Sequence, residues 1–500
     1  MESEPLSRPS GSRITKTIAI SLVTTLLVSF STGLPGEGTE SQPYRIDSCR
    51  DLQQVDQGLD TYYLKVNEVG NPTGEVITEN TEDHYYEVTS DIDCTGTVTW
   101  NSGKGFDPIG GNVDDDKIYL GKGIPEKRFN GVLEGNNHTV KGLTIDRWTA
   151  GKGSYDQPNR SIGIFGYIGE EGTVKNLRIV GARIGGFRKL GIVAGENHGT
   201  IQNVYASGTI KSKSYIYDWL KTDTYHPEEI GGIAGLNTGE IRRSVSTARI
   251  RIPNSTKVGG IAGRNTGKIQ ETMTGGKING SKDLGGIAGT NFGKIENSYT
   301  VANLTGNIRV GGLTGGPSSE RINPDNDLSL TVTGGDYFDT DRVSQSPENF
   351  SITDSYSAAR IDAPDDFKYR EAKSGMIHGG NTSKLGEEHL SDVYYVNRTA
   401  GEKGVPEPVT ETQAVGGSAR EHMEDLDFQD VWMTIDSSKN GYEKSGLPAL
   451  RHVNDEIQYE LTKREEQGQT TEGSGPASDN SPGGIMSIIK GLLEGLGSLI

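Results

Sequence analysis

The segment GGIAGRNTGKI, residues 259–269, decides how the rest of the chain is read. It contains four glycines and two isoleucines but no residue pair suited to acid–base or nucleophilic chemistry. The same wording occurs upstream as GGIAGLNTGEI (231–241) and downstream as GGIAGTNFGKI (285–295). A glycine loop that cradles phosphate runs into the start of a helix. Here the continuation is QETMTGGKI (270–278), which reads as another strand and turn. The phrase therefore builds the fold and does not bind a ligand.

Working outward, the glycine closing each related phrase falls at Gly166, Gly195, Gly235, Gly263, Gly289 and Gly315, with spacings of 29, 40, 28, 26 and 26 residues. Asn197, Asn237, Asn265 and Asn291 form a second column, and Ile201, Ile241, Ile269 and Ile295 a third. Short stretches of alternating character follow each isoleucine, which is the two-residue period of strands. A unit of this length suits one coil of a right-handed parallel β-helix, read here as three short strands and three turns. Stacking would set the isoleucines above one another at about 4.8 Å. The asparagines would bond from coil to coil, and the glycine after each would supply a positive φ at the corner.

The repeated GGIAGxNxGxI wording resembles the GLUG repeat of bacterial and archaeal surface proteins and large adhesins. The flanks FNGVLEGNNHTVKGLTI (129–145) and LSDVYYVNRTAGEKG (390–404) are similar to the opening and closing regions of such proteins. The resemblance implies an exported, adhesin-like β-helix and names no ligand, because a fold does not fix a function.

Composition agrees with a thin core wrapped by turns. There are 70 glycines in 500 residues, about twice the usual ~7%, and hydrophobic residues make up only 32%. The net charge of −18 argues against general nucleic-acid binding, which needs a cationic surface. At the N-terminus, Arg8, Arg13 and Lys16 precede the uncharged run TIAISLVTTLLVSF (17–30). This reads as a signal peptide spanning 1–31, with an uncleaved anchor from Thr17 to about Leu34 as the rival. Cys49 and Cys94 are the only two cysteines. In an exported chain they are expected to form a disulfide.

The organisation expected is a β-helix over 44–316, its continuation and capping region over 317–462, a disordered linker over 463–484, and an amphipathic helix over 485–500. That helix is too short to span a bilayer. Its expected roles are contact with a membrane interface or self-association.

Candidate sites lie where the rhythm breaks. The insert KSKSYIYDWLKTDTYHPEE (211–229) carries Tyr215, Tyr217, Trp219 and Tyr225, aromatics suited to stacking on sugars or filling a partner's pocket. The partner expected is an extracellular or cell-surface glycan or protein. Asp336, Asp339 and Asp341 are candidate calcium ligands, although a full calcium-loop pattern is lacking and solvated loop residues are the favoured reading. No other cofactor is expected. Glycosylation sequons occur at Asn159, Asn254, Asn279, Asn303, Asn349, Asn381 and Asn397. A further one, at Asn137, belongs to a structural turn.

The variable position Thr200, Glu240, Lys268 and Lys294 changes sign from coil to coil, as solvated turn residues do. No metalloprotease, nucleophile-elbow or P-loop motif is present. The expected function is non-catalytic binding or scaffolding at the cell surface. The alternatives are a carbohydrate-active β-helix enzyme with a lateral groove, and an envelope component assembling through 485–500.

Overall fold

A computed structural model describes residues 33–58, 60–66, 72–79, 84–112, 126–147, 161–212, 215–216, 224–316, 350–362, 374–375, 390–397, 407–410, 413–415, 418–435, 446–453 and 458. All lie within the compact unit Met1–Lys463; the second unit, Arg464–Ile500, falls outside them, as do the expected signal segment, linker and terminal helix.

The coil containing the opening phrase shows how the chain winds. Strand Thr256–Gly259 ends at a two-residue corner, Gly260 and Ile261, and strand Ala262–Asn265 follows. A second corner, Thr266 and Gly267, leads to Lys268–Gln270, Met273–Thr274 and Lys277–Asn279. The chain then enters Lys282–Gly285, directly beside the strand where the circuit began. This coil thus has five short strands, because its broad-sheet side is broken into three, whereas the coil Arg188–Lys211 has the three expected, the last running unbroken over Thr200–Lys211.

Successive coils pair in parallel. Ile241, Ile269, Ile295 and Ile352 are register partners in turn, and so are Ile250, Ile278, Leu304 and Ile361. The result is an all-β parallel β-helix with a broad sheet of 21 strands and narrower parallel sheets of five and six. Both columns face inward and are nearly fully buried except at Ile361, which is half-buried. Each such side chain contributes about 1.5–3 kcal/mol of apolar burial.

The corners work differently from the sequence expectation. None of Gly199, Gly239, Gly267 or Gly293 has a positive φ. These glycines are required for space: a Cβ on Gly267 would sit 2.1 Å from the Gly239 carbonyl oxygen, and one on Gly263 2.2 Å from the Ile230 nitrogen. The left-handed positions belong to non-glycine residues in two columns. One runs through Asn176, Asn203, Arg243, Glu271, Asn297, Asp354 and Asp392, and the other through Lys189, Glu229, Lys257, Asp283 and Arg309. Both sharpen the bend, and their polar side chains emerge where solvent or a neighbouring coil can satisfy them.

At the N-terminal end, Cys49 and Cys94 are disulfide-bonded across a separation of 45 residues, tying the short helix Cys49–Gln54 to the next coil. Further along, a second apolar cluster lies outside the solenoid. Val245, Met273, Tyr299, Tyr356 and Tyr394 form an outward column on the broad sheet, and Phe428, Trp432, Leu447 and Leu450 cover it. The Tyr299 hydroxyl donates to Gln458 Oε1 at 2.9 Å and the Tyr356 hydroxyl to the Pro448 carbonyl at 2.6 Å. The Trp432 ring sits 5.7 and 5.5 Å from those two tyrosine rings.

Candidate binding surface

Most polar groups of the coils are consumed internally. Asn197 donates through Nδ2 to Asn237 Oδ1, Asn237 to Asn265 and Asn265 to Asn291, each at 2.7 Å, and all four residues are fully buried. The ladder begins where Ile168 lies beside Asn197, so Asn197 Oδ1 has no partner among the described residues. The second left-handed column alternates in sign: Lys189, Glu229, Lys257, Asp283, Arg309. Lys257 Nζ lies 3.8 Å from Glu229 and 3.3 Å from Glu228, and Arg309 makes a two-pronged contact with Asp283.

One cluster has the composition of a catalytic site. Lys189 Nζ is 2.9 Å and His198 Nε2 3.6 Å from the Glu196 carboxylate, to which the Ser161 hydroxyl also donates. Burial pushes the Glu196 carboxyl up, but Lys189, His198 and Ser161 together outweigh it and hold the group well below the usual carboxylate range. Glu196 is therefore firmly ionised. Ser161 is not bonded to the histidine, whose Nδ1 meets Thr238 Oγ1 at 2.7 Å and whose ring stacks on Tyr167 at 4.4 Å. The nucleophile–base hydrogen bond that activates a serine is not formed.

A second acidic group lies at Asp354. Burial raises its carboxyl, the Thr353 side chain opposes this, and the charges of Asp392, Glu296 and Asp427 add to the rise. Among the described residues no three metal-type side chains converge. Asp336, Asp339 and Asp341 lie outside those residues.

The insert forms a hairpin. Tyr215–Ile216 pairs antiparallel with Thr224–Tyr225, placing Tyr215 and Tyr225 directly opposite each other; Tyr217 and Trp219 lie outside the described residues. Of the sequons, Asn254 occupies an exposed turn, Asn303 an exposed strand position and Asn279 a half-buried strand end. Asn397 ends the strand Leu390–Asn397, while Asn159, Asn349 and Asn381 fall outside the described residues.

Beside the hairpin, the broad sheet presents a feature that the sequence reading missed. Arg183, Thr209, Arg249, Lys277 and Asn303 are successive outward partners, as are Gly185, Lys211, Arg251, Asn279 and Thr305. These two columns hold five cations and no acid. Lys211 lies directly beside Arg251, and Arg249 beside Lys277. Like charges so placed destabilise a sheet. Four of the five are exposed and Arg249 is half-exposed; none pairs with a carboxylate of the described residues.

Lys211 is the last residue of strand Thr200–Lys211, from which the hairpin departs. The signal was available in the sequence. Thr209, Arg249, Lys277 and Asn303 each lie 14 residues after an anchoring glycine (249 − 235, for example), and Lys211 and Arg251 lie 16 after.

Fold and surface together define a parallel β-helix repeat protein. No family model matches the chain. It is 29% identical over 205 residues to halomucin of Haloquadratum walsbyi, covering 41% of this chain and 2% of halomucin. Over 172 residues it is 30% identical to an Evansella cellulosilytica protein provisionally described as a Gly-rich membrane protein, covering 34% of this chain and 15% of that one. The chain thus spans a small fraction of both relatives. A Bacteroides ovatus crystal structure, provisionally described as an immunoglobulin A1 protease, aligns with TM-score 0.44 and 16% identity over 84% of this chain and 95% of that one.

Proposed function

We propose that the chain is a non-catalytic, surface-associated β-helix module, exported through its N-terminal segment, that binds an extracellular partner along its flank. The observation that carries this reading is the division of labour in the coils. Most corner and ladder polar groups satisfy one another, whereas the basic columns are left facing outward. The Ser161–Glu196–His198 cluster supports the same reading, since its bonds serve packing. The partial likeness to halomucin and to a chain named for a membrane is consistent with a surface location. Among the described residues no helix is long and apolar enough to cross a membrane.

The test is a glycan and cell-binding array probed with the full chain and with a 213–227 deletion. Binding by the full chain that weakens in the deletion supports the reading. No binding by either protein, or release of reducing ends or unsaturated products from any polysaccharide, overturns it.

A further inference from the structure

We infer that the outward columns Arg183, Lys211, Arg249, Arg251 and Lys277 form a binding track for a linear anionic polysaccharide, one bearing carboxylate or sulfate groups along its length. The inference rests on the binding-module reading above and supplies its ligand class.

Three observations converge. First, the charge contrast is local: a chain of net charge −18 gathers five cations and no acid in two adjacent columns over the coils from Arg183 to Thr305. Asp146 and Asp362 bound the track at its two ends. Secondly, several cations elsewhere are paired. Arg188, Lys257 and Arg309 all meet carboxylates on the neighbouring six-stranded sheet. The columns beyond are left open, with like charges in direct register. A bound polyanion would remove that repulsion, so the cost carried by the free protein becomes affinity in the complex. Neighbouring coils are about 4.8 Å apart, so these charges lie within one or two screening lengths of about 10 Å and act as a single field. Thirdly, the insert whose Tyr215 and Tyr225 are register partners follows in the chain directly after Lys211, the last residue of a strand of the track. Cations in register take up the acidic groups of a linear chain, and tyrosine is a residue type that stacks on sugar rings. A nucleic acid offers the same anions, so the choice of a polysaccharide rests on the cell-surface reading proposed above, and DNA is an arm of the test.

The experiment measures binding of the full chain to immobilised polygalacturonate and dextran sulfate, with neutral dextran and single-stranded DNA as comparisons. The triple variant R249T/R251T/K277T places β-formers at exposed strand positions, and its fold is checked by circular dichroism and thermal melting. The expected result is binding to at least one acidic polysaccharide but not to neutral dextran. Affinity should fall steeply with salt and drop by roughly tenfold or more in the triple variant, since fewer cations on the track displace fewer counterions from the polyanion. Unchanged affinity in a folded triple variant overturns the inference, as does preference for DNA over both acidic polysaccharides. Should the array show binding only to neutral glycans or to proteins, the inference fails while the binding-module reading stands; silence on every probe removes both.

Discussion

The asparagine ladder permits a comparison between two buried residues of the same type whose removal should have very different costs. Asn265 accepts from Asn237 and donates to Asn291, both at 2.7 Å, with a weaker donation to the Gly267 carbonyl at 3.3 Å. Replacing it with Ala deletes two ladder bonds in a fully buried setting. Each net hydrogen bond is worth about 1 kcal/mol, and partners left short of a bond add to that. Asn237 Nδ2 keeps the Gly239 carbonyl, and Asn291 Oδ1 keeps the Gly293 amide, so the orphaning is partial. The total for Asn265→Ala is then about 3 kcal/mol. Asn197→Ala deletes one ladder bond and takes from Asn237 Oδ1 its donor, but it also removes an acceptor that already lacks a partner among the described residues, so the number of orphaned acceptors is unchanged. What remains is the one lost bond, about 1 kcal/mol. Urea unfolding of both variants, followed by far-ultraviolet circular dichroism, measures the difference; fitting must allow for local unfolding in a solenoid. Equal losses, or a larger loss at Asn197, would refute the account of the ladder as a chain of dependent bonds with a defined end.

Gly263→Ala should prevent close stacking, because its Cβ would meet the backbone of residues 229 and 230 within 2.7 Å; loss of soluble folded protein, against normal yield for Gly96→Ala, whose Cβ would meet open space at an ordinary φ, checks this. Reducing the Cys49–Cys94 bond should lower the stability of the N-terminal coils by about 4 kcal/mol in the chain-entropy model, seen as earlier protease cleavage there in the presence of reductant. Glu196 has a lowered carboxyl pKa in the folded chain, so its contribution is fully present above the ordinary value of 4.5 and is lost as pH falls below it. Glu196→Gln should flatten the decline in melting temperature below pH 4.5, and identical acid profiles for the two proteins would contradict the assignment. Trp432→Ala should cost about 3–5 kcal/mol at the outer cluster and loosen the cover that Phe428, Leu447 and Leu450 give the flank, measured by hydrogen exchange at Tyr299 and Tyr356.

The stacking direction was legible in the sequence because interior positions repeat in kind. Ile241, Ile269 and Ile295 stand at one offset from their glycines, and the structure sets them in one column. The asparagine ladder was readable for the same reason. The role of the corner glycines was not, since sequence alone does not separate a glycine needed for its φ from one needed for its missing Cβ. Left-handed corners filled by Lys189, Glu229 and Lys257 run against residue preference, and only the sheet's geometry imposes them. The basic track escaped notice because an outward column has no fixed residue type: threonine, arginine, lysine and asparagine share one offset. The outer aromatic cluster joins Tyr299 to Gln458, 159 residues apart, and no local pattern anticipates that pairing.

That last pairing has a consequence for the order of assembly. A coil can settle on its predecessor as soon as its own few dozen residues are available, so the stack can grow from its N-terminal end as the chain emerges. The aromatic flank cannot be sealed in the same way. Val245, Met273 and Tyr299 reach their places early, yet the residues that cover them are the last of the described chain to appear. Throughout that interval the growing rod presents a greasy stripe to its surroundings, and a chain interrupted before Trp432 would keep it. Truncated products of this protein should therefore clump even though their coils are intact, and aggregation of nascent chains should cease once the final segment has folded back.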